Sequence, residues 1–143
     1  MPAVKRSVVR ALLASCALLA ISLNAPGARA CDADIGGVSK LESTRYVLAY
    51  RTQPSKLAVG AHFSVELVVC AKDGAPEPES VQVDAHMPEH RHGMNYRAAV
   101  KAEGNGRYRA DGLLFHMPGR WEYVFALRGS GRTDRLTHSI VLD

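Results

Sequence analysis

Long apolar segments are scarce in this sequence of 143 residues. The one extended run, Ala11 to Leu23, is shorter than the about 20 residues that a membrane-spanning helix needs. It follows a cluster of three basic residues and precedes Ala28-Arg29-Ala30, an A-x-A cleavage site. This order predicts a secretory signal peptide over residues 1–30. We therefore expect an exported, periplasmic protein with a single domain over residues 31–143.

An excess of charge of either sign is absent once residues 1–30 are set aside. The whole chain carries 18 Lys and Arg against 14 Asp and Glu, and residues 1–30 hold four of the basic and none of the acidic residues. The remainder is balanced, which argues against a nucleic-acid partner. Nucleophile–base, haem and nucleotide motifs are also missing, so we do not expect an enzyme.

Cysteine is rare as well. Cys16 belongs to the predicted signal peptide, which leaves Cys31 and Cys70. An even pair in an exported protein favours a disulfide, and a thiolate metal site is the alternative. Cys31 would be the first residue after cleavage, but Ala28 and Arg29 do not match a lipid-attachment signal. No lipid anchor is expected.

No segment after residue 30 has helical periodicity. Apolar residues instead alternate with polar ones, most clearly in His62 to Cys70 and in Trp121 to Leu127. A period of two predicts half-buried strands, and seven are expected: residues 45–51, 62–70, 81–87, 96–102, 107–116, 121–127 and 136–142. Residues 31–41 are interpreted as an irregular lead-in. The predicted fold class is all-β, an immunoglobulin-like sandwich of about seven antiparallel strands.

Methionine is confined to two short segments. Apart from Met1, every methionine lies in His86–Met94 or His116–Pro118, together with four of the six histidines. Imidazole suits copper, zinc and nickel, whereas a thioether selects Cu(I), so the mixture favours copper, and Cu(I) rather than Cu(II). Methionine is also a common core filler, and alternation turns Met87 inward. The candidate metal ligands are His86, His90, His92, Met94, His116 and Met117.

Strand direction predicts that these segments meet. If successive strands alternate in direction, Met87 and His116 both end strands at one end of the sandwich, where His62 begins another. Cys70 then lies at the opposite end, near the lead-in that carries Cys31. We therefore expect a histidine- and methionine-rich pole and a disulfide pole.

Three motifs resemble the YtkA-like domain family, which is related to FixH-like proteins. They are Met87-Pro88-x-His90-x-His92-Gly93-Met94, Gly106-Arg107-Tyr108, and His116-Met117-Pro118-Gly119-Arg120-Trp121-Glu122. The resemblance extends over about residues 40–142 and implies an exported immunoglobulin-like sandwich. Some relatives are linked to copper handling or cytochrome oxidase assembly. His92-Gly93-Met94 is also similar to the His-x-Met of periplasmic copper chaperones, but an amino-terminal histidine brace is not available here.

Two functions remain open at this point. The first is a periplasmic copper-binding protein that delivers copper or assists cytochrome oxidase assembly, with the copper ion and a membrane-bound oxidase or copper transporter as partners. The second is a metal-free protein–protein interaction module of the cell envelope, with Arg91, Tyr96 and the methionines as contacts.

Overall fold

Nine antiparallel strands in two sheets make up the computed structural model, which describes residues 31–36 and 39–143. The strands are β1 (Ser39–Glu42), β2 (Tyr46–Gln53), β3 (His62–Ala71), β4 (Ser80–Met87), β5 (His92–Gly93), β6 (Ala99–Gly104), β7 (Arg107–Leu114), β8 (Gly119–Gly129) and β9 (Arg132–Leu142). One sheet has the order β1-β2-β3-β7-β6 and the other β5-β4-β8-β9. The predicted all-β sandwich is confirmed.

Alternation of side chains along the strands produces the core. In β8, Trp121, Tyr123, Phe125 and Leu127 are buried, and the residues between them are half-buried. In β4, Val81, Val83, Ala85 and Met87 are buried, as the sequence predicts for the apolar face. Because neighbouring residues of a strand point to opposite sides, these residues face the other sheet and meet β2, β3 and β7 there.

Two strands are additional to the seven expected. The interpretation of residues 31–41 as irregular was wrong at its end, since β1 pairs with β2 from Ser39↔Tyr50 to Glu42↔Val47. The two-residue β5 pairs His92 with Met87 inside the expected loop. Both are short edge strands held by backbone pairing, so their sequences do not need the alternation by which longer strands are identified.

The disulfide and the histidines lie at opposite ends of the sandwich. Cys31 and Cys70 form a disulfide with a Cα–Cα distance of 5.5 Å, which confirms the predicted pairing. Cys70 lies near the end of β3, and His62 begins the same strand at the opposite end. Pairing of β3 with β7 places His62 opposite Leu114, two residues before His116. Strand direction therefore separates a disulfide pole from a histidine pole, as expected.

The predicted signal peptide, residues 1–30, lies outside the described residues. Within residues 31–36 and 39–143, no helix is long and apolar enough to cross a membrane.

Candidate functional site

Three imidazoles lie side by side at the histidine pole. The ring centroid of His92 is 5.1 Å from that of His116 and 5.7 Å from that of His90. We call His90, His92 and His116 the histidine row. The row packs against Trp121 on its core side. The ring centroid of Trp121 is 5.3 Å from that of His116 and 6.0 Å from that of His92. The row therefore lies against the end of the core that Trp121 closes.

Local backbone structure explains how the loop presents two of these rings. Pro88 follows β4, and the amides of His90 and Arg91 donate to the Met87 carbonyl at 3.2 and 2.9 Å, which forms a tight turn. Arg91 has a φ of 56°, and this reverses the chain into β5. Since β5 pairs His92 with the inward-facing Met87, the His92 ring points towards Trp121 and the interior side of the sheet.

Hydrogen bonding determines which nitrogen of His92 is free. Nδ1 lies 3.2 Å from the carbonyl oxygen of Gly93. A carbonyl only accepts, so Nδ1 carries the proton and donates. The lone pair is therefore on Nε2, the arrangement in which a backbone carbonyl orients a metal-binding imidazole.

His116 has a nitrogen whose hydrogen bonding is unsatisfied. Its Nδ1 is buried, and no hydrogen-bond partner is found for it among the described residues. Buried polar atoms in folded proteins are nearly always paired, so this nitrogen is available to a further ligand. His116 follows β7 and is half-buried, and its ring meets that of Trp121 at 81°.

The other three predicted ligands make different contacts. His86 is on the outer face of β4, where its Nε2 is 3.4 Å from Glu122 Oε1. Met94 packs against the core and lines a cleft of about 540 Å³ between β4 and β6. Met117 also packs against the core, and its carbonyl accepts a hydrogen bond from Trp121 Nε1 at 3.0 Å. The six predicted ligands are therefore distributed among the histidine row, the outer face of β4 and the margin of the core.

A centre built from imidazole and carboxylate alone is not preformed. In the part of the chain that the structure describes, no three His, Cys, Asp or Glu side chains are arranged to hold a metal ion. Two imidazoles are available without such a triad, and a further ligand would be a thioether or a reoriented His90. This donor set suits Cu(I), which accepts soft thioethers, better than zinc.

Sequence reasoning assigned Trp121 only to the core. Its position directly beneath His92 and His116 depends on the pairing of β8 with β4, which brings Glu122 opposite His86. The signal available in the sequence was the short spacing between His116 and Trp121, combined with the inward alternation of β8.

Similarity to known proteins is found at the level of structure and of sequence. A crystal structure of a DUF4426 family protein from Pseudomonas aeruginosa PAO1 is similar at 11% identity and a TM-score of 0.49, covering 77% of this chain and 99% of that one. No curated protein matches the chain. The model of the YtkA-like family matches residues 40–125, which include β2 to β7 and most of β8. The chain belongs to the YtkA-like family.

Proposed function

We propose that this protein is an exported, periplasmic copper-binding protein that holds Cu(I) at the histidine row. The observation that carries the proposal is the pairing of His92 and His116 at 5.1 Å, with a free Nε2 on the first and an unpaired Nδ1 on the second. Copper binds the unprotonated nitrogen of an imidazole, and neither of these two nitrogens is occupied by a hydrogen bond within the described residues.

The spacing of the rings supports a shared ion. With a metal–nitrogen bond of about 2 Å, two imidazoles on one ion have ring centroids at most roughly 6 Å apart. The separation of 5.1 Å between His92 and His116 lies inside that limit, and His90, 5.7 Å from His92, would join them only after reorienting. His90 is exposed, so the ion would be held near the surface. A shallow site favours transfer of copper to a partner, for which we propose a membrane-bound oxidase or copper transporter.

Competition against a calibrated Cu(I) chelator tests the proposal. We expect the purified protein to withdraw Cu(I) from bicinchoninate, and the His92→Gln/His116→Gln variant to lose this ability. The matched control is His86→Gln, because His86 lies on the outer face beside Glu122. Its affinity for Cu(I) should equal that of the wild type. Equal affinity of the wild type and the double variant would refute the assignment.

The methionines are tested separately. Met117→Leu and Met94→Leu preserve apolar volume and remove only the thioether. If a thioether completes the site, one of these variants should bind Cu(I) at least tenfold more weakly and retain Cu(II) binding, following ligand softness. Unchanged Cu(I) affinity in both would leave a site made of histidines only.

A metal-free interaction module is the second candidate, and one observation favours it. Tyr96 is 52% exposed at the same pole, with its ring centroid 5.6 Å from that of His62. Exposed tyrosine is typical of protein–protein contacts. Absence of any Cu(I) or Cu(II) binding by the wild type would favour this candidate.

A further inference from the structure

A second cleft opens along one side of the sandwich, between β2 of one sheet and β9, the edge strand of the other sheet. It has a volume of about 1150 Å³, and its lining combines charged residues at the rim with aromatic and aliphatic ones, namely Arg51, Lys56, Asp143, Tyr50, Tyr123, His138, Val59 and Val141. We call it the edge cleft. Its volume is slightly above the usual range for small-molecule sites. None of the residues of the histidine row lines it.

Apolar side chains at the edge cleft are unusually exposed. Val141 is 72% exposed and Val59 38%, and they are two of the three large hydrophobic residues that are exposed in the described part of the chain. Single exposed apolar residues are common on protein surfaces, but these two line the same concavity. Their exposure provides apolar area that a ligand would cover.

Polar groups at the floor of the cleft are buried. Tyr50 is 4% exposed, and its hydroxyl lies 2.6 Å from Nδ1 of His138. Burial raises the pKa of Tyr50 to about 12, so the hydroxyl keeps its proton and donates to Nδ1. Nδ1 then carries no proton, so the N–H of the imidazole is at Nε2, which gives His138 a donor for a further acceptor.

Tyr123 provides the second donor. It is 1% exposed, and its hydroxyl is buried with no hydrogen-bond partner in residues 31–36 and 39–143. Burial raises the pKa of Tyr123, so the group is a neutral phenol. An unpaired buried hydroxyl is costly, which means that an incoming acceptor would gain a hydrogen bond at a site already shielded from water.

We propose that the edge cleft binds a small, uncharged, largely apolar molecule whose carbonyl oxygen accepts a hydrogen bond from Tyr123. Val59 and Val141 cover the apolar body, and His138 supplies a neighbouring donor. Because the Tyr123 hydroxyl has no exposed surface, the ligand must induce a small movement of the side chains that cover it. This activity is separate from the proposed copper site, because the two sites share no residue.

A matched pair of probes tests this assignment on protein expressed from the full chain. Acetophenone carries a carbonyl on an apolar ring, and ethylbenzene is its counterpart without the oxygen. Each is titrated into ¹⁵N-labelled protein while amide shifts are recorded. We expect saturable shifts at Val59 and Val141 with both probes. Tyr123→Phe should weaken acetophenone binding about three- to tenfold, as loss of one hydrogen bond implies, and leave ethylbenzene binding unchanged.

Two controls make the result decisive. Tyr96→Phe removes a hydroxyl outside the edge cleft and should leave both affinities unchanged. Val141→Arg places a charge at the exposed rim and should weaken both probes. Absence of saturable shifts at the cleft amides would overturn the proposal, as would equal acetophenone affinity in the wild type and Tyr123→Phe. Copper titration of Tyr123→Phe should match the wild type, so failure of one proposal is distinguishable from failure of the other.

Discussion

Single residues at the disulfide pole connect the two sheets through one ion pair. Nε and Nη2 of Arg45 donate to Asp134 Oδ1 at 2.9 and 2.8 Å, and Ser43 Oγ donates to Oδ2 at 2.6 Å. Arg45 also donates to the Gly129 carbonyl at 2.9 Å. The hydrogen bonds from Arg45 and Ser43 hold the pKa of Asp134 below its usual value. The start of β2 is thereby attached to β9 and to the end of β8.

Asp134→Asn should lower the free energy of unfolding at neutral pH. It should also make that free energy fall less steeply as the pH is lowered. Because the pKa is lowered in the folded state, the carboxylate stabilises the protein above the unfolded value of about 3.9, and this contribution disappears as pH falls through the folded value. The difference between wild type and variant should therefore be larger at pH 7 than near pH 2. Urea midpoints at both pH values measure it. Asp73→Asn, at an exposed position, is the control, and an identical midpoint of Asp134→Asn and wild type at pH 7 would contradict the prediction.

At the scale of elements, turns determine how the strands meet. The β6–β7 hairpin turns through Gly104, Asn105 and Gly106, whose φ angles are 87°, 51° and 73°. The Gly106 carbonyl accepts a hydrogen bond from the Val69 amide at 2.8 Å, and a Cβ at Gly106 would lie 2.5 Å from the Val69 carbonyl oxygen. This turn therefore lies directly on β3, next to the disulfide.

Gly106→Ala should destabilise the protein more than Gly131→Ala. Both glycines have positive φ, 73° and 69°, so both alanines have the left-handed penalty of about 1–2 kcal/mol. Of these two alanines, only the one at position 106 would clash with neighbouring backbone. Nothing lies within 4 Å of a Cβ at Gly131. We expect an additional loss of about 1–3 kcal/mol for Gly106→Ala, the usual range for overpacking, measured by urea unfolding. Equal losses would show that β3 moves away without resistance.

At the scale of the whole molecule, the stabilising contacts and the proposed binding sites lie at opposite poles of the sandwich. The disulfide, the Arg45–Asp134 pair and the Gly106 turn are at one pole. The histidine row is at the other, where Gly60 N donates to the Phe115 carbonyl at 2.8 Å, one residue before His116. The end of β9, which lines the edge cleft, reaches the same pole, because Leu142 pairs with Gly119. Changes at the disulfide pole should therefore alter stability without altering binding.

Replacing both cysteines tests this separation. The disulfide links residues 39 positions apart, and the chain-entropy model assigns a loop of that length about 4 kcal/mol. We expect Cys31→Ser/Cys70→Ser to lose about that free energy of unfolding. Reduced wild type should match it, and the Cu(I) affinity of the folded double variant should be unchanged. Loss of Cu(I) affinity in a variant shown to be folded would refute independence of the two poles.

Sequence alone was sufficient for features that depend on local pattern and chain direction. Alternation in Trp121 to Leu127 requires one buried face whatever that face packs against, so the core side of β8 could be predicted. Antiparallel succession then predicted the two poles, the proximity of Cys31 to Cys70 and the convergence of the His86–Met94 and His116–Pro118 segments, from which His92 and His116 come into contact. These inferences hold because strand direction reverses at each turn and needs no knowledge of partners.

Tertiary structure alone decided which neighbours in sequence become neighbours in space. His86 and His92 belong to one short segment, but β4 and β5 pair so that His86 faces outward and His92 inward. β1 and β5 exist only through their pairing partners, so no local pattern could reveal them. The edge cleft arises between β2 and β9, where Tyr123 of β8 lies beneath Tyr50 and His138. Such proximity of distant segments depends on sheet order and register, which side-chain periodicity does not encode.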